Sequence, residues 1–199
     1  MEVEYSKQTI NHPNPIARFA HQNRHRKSIL LATNILKSKA KGIIDYGCGQ
    51  GEFINNLRKK GFNFAYGFEP YMKQIKKRDY IVKDPKNIPL GMVELITLFE
   101  TIEHLDKEEL DLFFKFCRSR LRKSGKILIS APIEIGPVVV IKDIVRSLLF
   151  KRAMEYSFME LVKTGLFGLS IKRSNNIKGS HKGFDFRKSI ALIKKKYGK

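Results

Sequence analysis

Asp45, Gly47, Gly49 and Gly51 alternate through Ile43–Phe53, IIDYGCGQGEF. Glycines accept positive φ and let backbone approach a ligand closely. A helix opening directly after them presents free N–H groups that suit a carboxylate or phosphate. A second group, Glu100, Glu103 and His104, stands in ETIEHL. On one helical turn these three share a face. Two carboxylates and an imidazole are donors for a divalent cation. His181, in GSHKGFDF, is a fourth donor. His104 is the first candidate for a general base, and His181 the second.

The elements that must position these groups follow from periodicity. Gly42–Tyr46 is a short apolar run meeting Gly47, which predicts a buried strand. Glu52–Lys60 reads as a helix closed by Gly61. Phe64–Phe68 is a second strand, ending in Glu69-Pro70. Tyr71–Arg78 reads as a helix, Tyr80–Lys83 as a third strand ending at Asp84-Pro85, and Val93–Phe99 as a fourth strand. Asp106 and Glu109 form a capping box for a helix to Leu121. Lys126–Ala131 is a fifth strand, stopped by Pro132. This alternation predicts an α/β fold, a parallel sheet with helices on both faces. Ahead of it, residues 1–41 read as a polar arm and a helix over Ile16–Leu36. That helix carries a basic cluster of Arg18, His21, Arg24, His25, Arg26 and Lys27. Two readings stand for the cluster: a solvated face, or a grip on an acceptor phosphate or carboxylate. Residues 42–132 form the core. Residues 133–199 read as a helical lid or substrate region of the same domain, with an amphipathic helix over Val138–Phe150 and a last helix over Phe184–Tyr197. In the amphipathic helix Ile141, Ile144, Val145 and Leu148 face one way and Lys142, Asp143 and Arg146 the other. Ser170–Ser180 reads as a polar, basic loop.

The loop's detail selects a ligand. A dinucleotide fingerprint starting at Gly47 needs glycine at position 52, which is Glu52. Here an acidic residue stands two before the first glycine instead. The arrangement resembles the first motif of class I S-adenosylmethionine-dependent methyltransferases, of the type 11 and type 12 kind. The resemblance covers Gly42–Pro132 through GIIDYGCGQG, YGFEP, KDPKNIP, ELITLFETIEHL and LRKSGKILISAP, in the family's order. It implies a Rossmann-like methyltransferase sheet, with Ser124-Gly125 as the turn before the fifth strand. It also implies that Asp45, Gly47, Cys48, Gly49 and Gly51 wrap the methionine part of S-adenosylmethionine. Glu69, followed by Pro70, then takes the ribose hydroxyls, Asp84 lies near the adenine, and Phe99 completes the cofactor residues.

The E-x-x-E-H pattern is similar to that of two groups. They are the ubiquinone-pathway O-methyltransferases and the small-RNA 3′-terminal 2′-O-methyltransferases. In both, the resemblance implies a cation (Mg, Mn or Zn) against the accepting hydroxyls, held by Glu100, Glu103 and His104, with His181 matching the later histidine of the small-RNA group. Many relatives keep only E-H-L there. In those His104 serves as a base or a hydrogen-bonding group, and Glu103 as a helix N-terminal charge.

The acceptor is bounded by composition. Lys and Arg total 39 against 19 Asp and Glu, a net charge of +20. Two readings stand for this charge: a field for polyanions such as nucleic acid, acidic glycans or anionic lipid, or a Lys-rich solvated surface, since the lysines are scattered. A small-molecule or glycan-type hydroxyl is the leading reading, and RNA the alternative. No recognised RNA-binding module or stacking platform accompanies the charge. The amphipathic helix admits peripheral membrane contact. The family's fold continues past the last helix into a final antiparallel strand pair, and the sequence ends at KKKYGK where those strands should begin, so either the sequence is truncated or the fold closes without them. A fifth strand left at the edge would favour a homodimer, and a non-catalytic binding protein on the same fold is a third reading. Cys48 and Cys117 give no disulfide framework, the first ten residues hold no apolar core, and no run reaches about 18 apolar residues. A cytoplasmic enzyme is the expectation.

Overall fold

The computed structural model describes residues 13–70, 78–89, 91–150, 153–178 and 180–197. The helix expected over Tyr71–Arg78 and most of the N-terminal arm lie outside these residues.

The first of two compact units comprises residues 1–99 and 111–129. Helix α1 spans Pro15–Leu36, its first N–H groups capped by the Asn14 side chain. Strand β1 is Ile43–Tyr46, followed by α2 (Glu52–Lys59), β2 (Ala65–Phe68) and β3 (Ile81–Val82). Strand β4 is Val93–Phe99, and helix α3 (Lys107–Arg120) runs into β5 (Leu121–Ser130). The sheet order is β3-β2-β1-β4-β5, and the pairs β1–β2, β1–β4 and β2–β3 are parallel. Alternation along β1 explains the layers. Ile43 packs with Ala32 and Leu36 of α1 and with Phe53, Ile54 and Leu57 of α2. Tyr46, one face over, meets Phe68, Phe113 and Phe116 edge-on at 5.0–5.4 Å. Helices therefore cover both faces, as the sequence pattern requires.

Two details of this unit depart from the sequence reading. Strand β5 begins at Leu121, so Ser124-Gly125 lies within it and not before it. The backbone still curls there. A Cβ on Gly125 would meet Leu121 Cγ at 2.7 Å and the Arg122 carbonyl at 3.0 Å. In α1, His25 does not belong to a solvated basic face. Its Nε2 is 2.7 Å from the Asn56 amide, its ring meets Phe53, and burial lowers its pKa. Arg18, Arg24, Arg26 and Lys27 are exposed.

The second unit comprises residues 100–110 and 130–199. It holds a 3-10 turn at Ile102–His104 and helix α4 (Pro137–Phe150). Helix α5 (Phe158–Leu161) continues into a π turn over Val162–Leu166, and α6 spans Phe186–Tyr197. The Asp106–Glu109 capping box is present, with bonds of 2.9 and 2.8 Å, and Ser157–Glu160 forms another at α5. Among the described residues no strand follows β5, which lies at the sheet's edge.

Candidate active site

In the first unit, β1 ends on Asp45 and Tyr46, and the chain then turns through three left-handed glycines. Gly47, Gly49 and Gly51 have φ of 73°, 54° and 71°. A Cβ on Gly51 would sit 2.1 Å from Ile81 Cδ1, so both conformation and space demand glycine there. Gly67 of β2 is equally confined, because a Cβ would lie 2.5 Å from Cys48 Sγ. The loop is pinned to β2 by Gly47 N donating to the Phe68 carbonyl at 2.8 Å. Its centre is held from the end of β2, where Gly49 N donates to Glu69 Oε2 at 2.9 Å.

Asp45 and Glu69 are both buried. Thr97 Oγ1 donates to Asp45 Oδ1 at 2.6 Å, a contact set by the β1–β4 register that faces the two residues. Burial raises the Asp45 pKa to about 7 against the lowering effect of Thr97, and the Glu69 charge adds to the rise. The same surroundings push the Cys48 thiol up, burial first and then the two carboxylates. It is a packed thiol, not a nucleophile. Pro70 and Phe99 are half-buried, and Phe99 packs edge-on against Phe53 at 4.9 Å. Asp84 is exposed and caps a short 3-10 turn, its Oδ1 accepting from Lys86 N at 2.9 Å.

In the second unit, Glu103, His104 and His181 converge, with one ligand atom from each lying within 4.8 Å of the others. His104 Nε2 is 3.3 Å from His181 Nε2, and the two lie 3.9 and 3.8 Å from Glu103 Oε1. The Glu103 side chain is fully buried. His104 Nδ1 is 2.9 Å from the Ile177 carbonyl, so it is the donor and Nε2 carries the lone pair. Two Nε2 atoms facing at 3.3 Å either share a proton or face a common cation. Arg173 donates to the Glu103 carbonyl at 2.6 Å. The Ser170–Ser180 segment is thus tied to the cluster through Ile177 and Arg173.

Glu100 is not among the three residues whose ligand atoms converge. The helical turn includes only Ile102–His104, and Glu100 precedes it with φ of 47°, an uncommon conformation for a non-glycine residue. Its carboxylate accepts from Ser130 Oγ at 2.9 Å. Glu134, which motif reading passed over, also borders the cluster. Its buried carboxylate is 3.9 Å from His181 Nδ1, pairs with Lys142 and accepts from the Tyr156 hydroxyl at 3.3 Å. The available signal was an acidic residue between Ile133 and Ile135 in an otherwise apolar stretch.

A family model described as a methyltransferase domain matches residues 17–144. The chain belongs to this methyltransferase domain family. No curated protein matches the sequence. Among solved structures, the plantazolicin methyltransferase BpumL, in complex with a triazolic desmethylPZN analog and SAH, is similar at 15% identity and a TM-score of 0.53. That match covers 96% of this chain and 69% of that one. A SAM-dependent methyltransferase from Archaeoglobus fulgidus is similar at 24% identity and a TM-score of 0.44, over 64% of this chain and 63% of that one. The magnesium protoporphyrin IX methyltransferase of Synechocystis PCC 6803, with bound SAH, is similar at 18% identity and a TM-score of 0.46, over 89% and 84%. The likeness to BpumL shows the fold, a Rossmann-like methyltransferase sheet. The chain spans under two thirds of the length of the Archaeoglobus protein.

Proposed function

We propose that this methyltransferase domain uses S-adenosylmethionine to methylate a hydroxyl oxygen of a small-molecule or glycan-type acceptor. The observation that carries the cofactor assignment is the left-handed glycine loop braced against Glu69 at the end of β2. Loop amides and the N-terminus of α2 receive the methionine carboxylate. Glu69, held by Gly49, would take the ribose hydroxyls, and buried Asp45, bonded to Thr97, would stand behind the loop. Cys48, Pro70 and Phe99 would shape the pocket, and Asp84 would lie near the adenine. When bound, the cofactor supplies a methyl carbon already activated by its sulfonium. The protein contributes alignment and exclusion of water.

His104 takes the acceptor's hydroxyl proton at Nε2, because its Nδ1–H is committed to Ile177. The cofactor, when bound, would supply the methyl group to the oxygen so freed, its sulfonium becoming a neutral thioether. Glu103 balances the imidazolium that forms. His181, whose pKa burial lowers, stays neutral beside it near pH 7.

The same three side chains fit a divalent cation. Bonds of about 2.0–2.2 Å in a tetrahedral site place donor atoms roughly 3.4 Å apart, close to the 3.3–3.9 Å found here. Glu103, His104 and His181 would hold Mg, Mn or Zn, and the ion would lower the acceptor hydroxyl's pKa. Glu100, whose Oε1 accepts from Ser130, adds negative charge near His181. Calorimetric titration of each ion into wild type and His104→Ala tests this: heat lost in the variant supports the site, and no heat with wild type rejects it.

RNA is the second reading for the acceptor, favoured by the exposed Arg18, Arg24, Arg26 and Lys27 of α1. Formation of S-adenosylhomocysteine with a panel of hydroxylated metabolites and short RNAs decides between them. No product with any acceptor would favour a non-catalytic binder.

A further inference from the structure

We propose that the second unit docks on an anionic membrane surface through the outward face of α4 and the π-turn segment beside it. Helix α4 is packed the reverse of an ordinary amphipathic helix. Its charged face is turned into the protein. Lys142 pairs with Glu134, Arg146 donates to Glu155 Oε2 at 2.6 Å, and buried Asp143 accepts from Glu155 N and Tyr156 N at 3.1 and 3.3 Å. Val139 is the apolar anchor on that side, packed with Tyr156 and Leu161. The apolar stripe faces water. Val138, Ile141, Val145 and Leu148 recur at helical spacing and are 45%, 61%, 39% and 74% exposed.

The segment packed on α4 repeats this pattern. Gly165 lies so close to Val140 that a Cβ would meet its Cγ2 at 2.3 Å. Around that contact Phe158, Leu166 and Phe167 are exposed. Soluble surfaces scatter single apolar residues, and a helix whose polar face is already satisfied inside needs a nonaqueous partner outside. The partner's charge follows from the chain's own. Lys163 is exposed, and Lys151 and Arg152 follow the helix directly in sequence. The whole chain carries +20, so a second copy approaches against like charge while an anionic bilayer is attracted. An in-plane helix with its apolar stripe in the acyl boundary and cations at the headgroups fits both facts.

Flotation with vesicles of phosphatidylcholine, with and without phosphatidylglycerol, tests the proposal. Wild type is expected to bind the phosphatidylglycerol vesicles and not the neutral ones. Ile141→Gln, Leu148→Gln and Phe158→Gln are expected each to lower partitioning roughly tenfold where the side chain leaves water fully. These sites face solvent, so thermal unfolding should not change. No vesicle binding by wild type would overturn the proposal. So would equal binding to both vesicle types, or undiminished binding by the triple variant, which marks adsorption by charge alone. A solution dimer that the triple variant dissociates, with no vesicle binding, would assign the face to a second copy.

Discussion

Asp45 is a carboxyl placed where ionisation is opposed. Its rise from the ordinary aspartate value to about 7 makes ionising it in the fold about 4 kcal/mol harder than in the open chain. Because the folded pKa lies above the unfolded one, the folded state holds the proton longer. Stability contributed by this group is therefore full below about pH 4, falls as pH rises toward 7, and is flat above. Asp45→Asn should raise the melting temperature of the cofactor-free protein at pH 8 and abolish most of that slope, while weakening cofactor binding. Thermal scans from pH 5 to 8 with a parallel binding titration check both. At the second cluster, His104→Ala should lower turnover by about 10²–10⁴-fold with cofactor affinity unchanged. Glu134→Gln should weaken cation affinity about 10–100-fold by releasing His181, read by zinc titration. Asp45, Glu69 and His104 were legible in the sequence because motif spacing marks them. Glu134 was not, because its importance arises only when His181, Lys142 and Tyr156 fold around it.

Elements were legible wherever periodicity and caps agree. Strand β4 and the Asp106 cap are found where the sequence puts them. The 100–104 turn was misread because the pattern E-x-x-E-H suits a full helical turn, while left-handed Glu100 is drawn to Ser130 instead. Helix α4 was legible in extent and in its two faces. Its orientation was not, since a moment does not say which face meets water, and ion partners at Glu134 and Glu155 decided it. Gly51→Ala tests the most constrained element junction. It meets both a left-handed φ and Ile81, so a loss of roughly 1–3 kcal/mol of stability is expected, measured by denaturant unfolding, together with weakened cofactor binding.

For the whole molecule, fold class was the most secure inference, because strand–helix alternation and the glycine loop both require the same parallel sheet. The division into two units was not visible, since residues 100–110 leave the sheet's sequence block to join the C-terminal part. Among the described residues no helix is long and apolar enough to cross a membrane. The +20 charge acts at this scale too. If RNA is the acceptor, its binding should fall steeply with salt, the logarithmic slope growing by about 0.7 for each phosphate contacted on a single strand. Titrations across a salt series measure it, and a flat response removes RNA.

The central claim is that the Asp45–Gly51 loop with Glu69 binds S-adenosylmethionine. Calorimetric titration of S-adenosylhomocysteine and of NAD into wild type and Glu69→Ala tests it directly. Saturable binding of S-adenosylhomocysteine is expected, with none of NAD, and an affinity at least about tenfold lower in the variant, as for lost charge-assisted hydrogen bonds. Failure of wild type to bind S-adenosylhomocysteine, or equal affinity in Glu69→Ala, would contradict it.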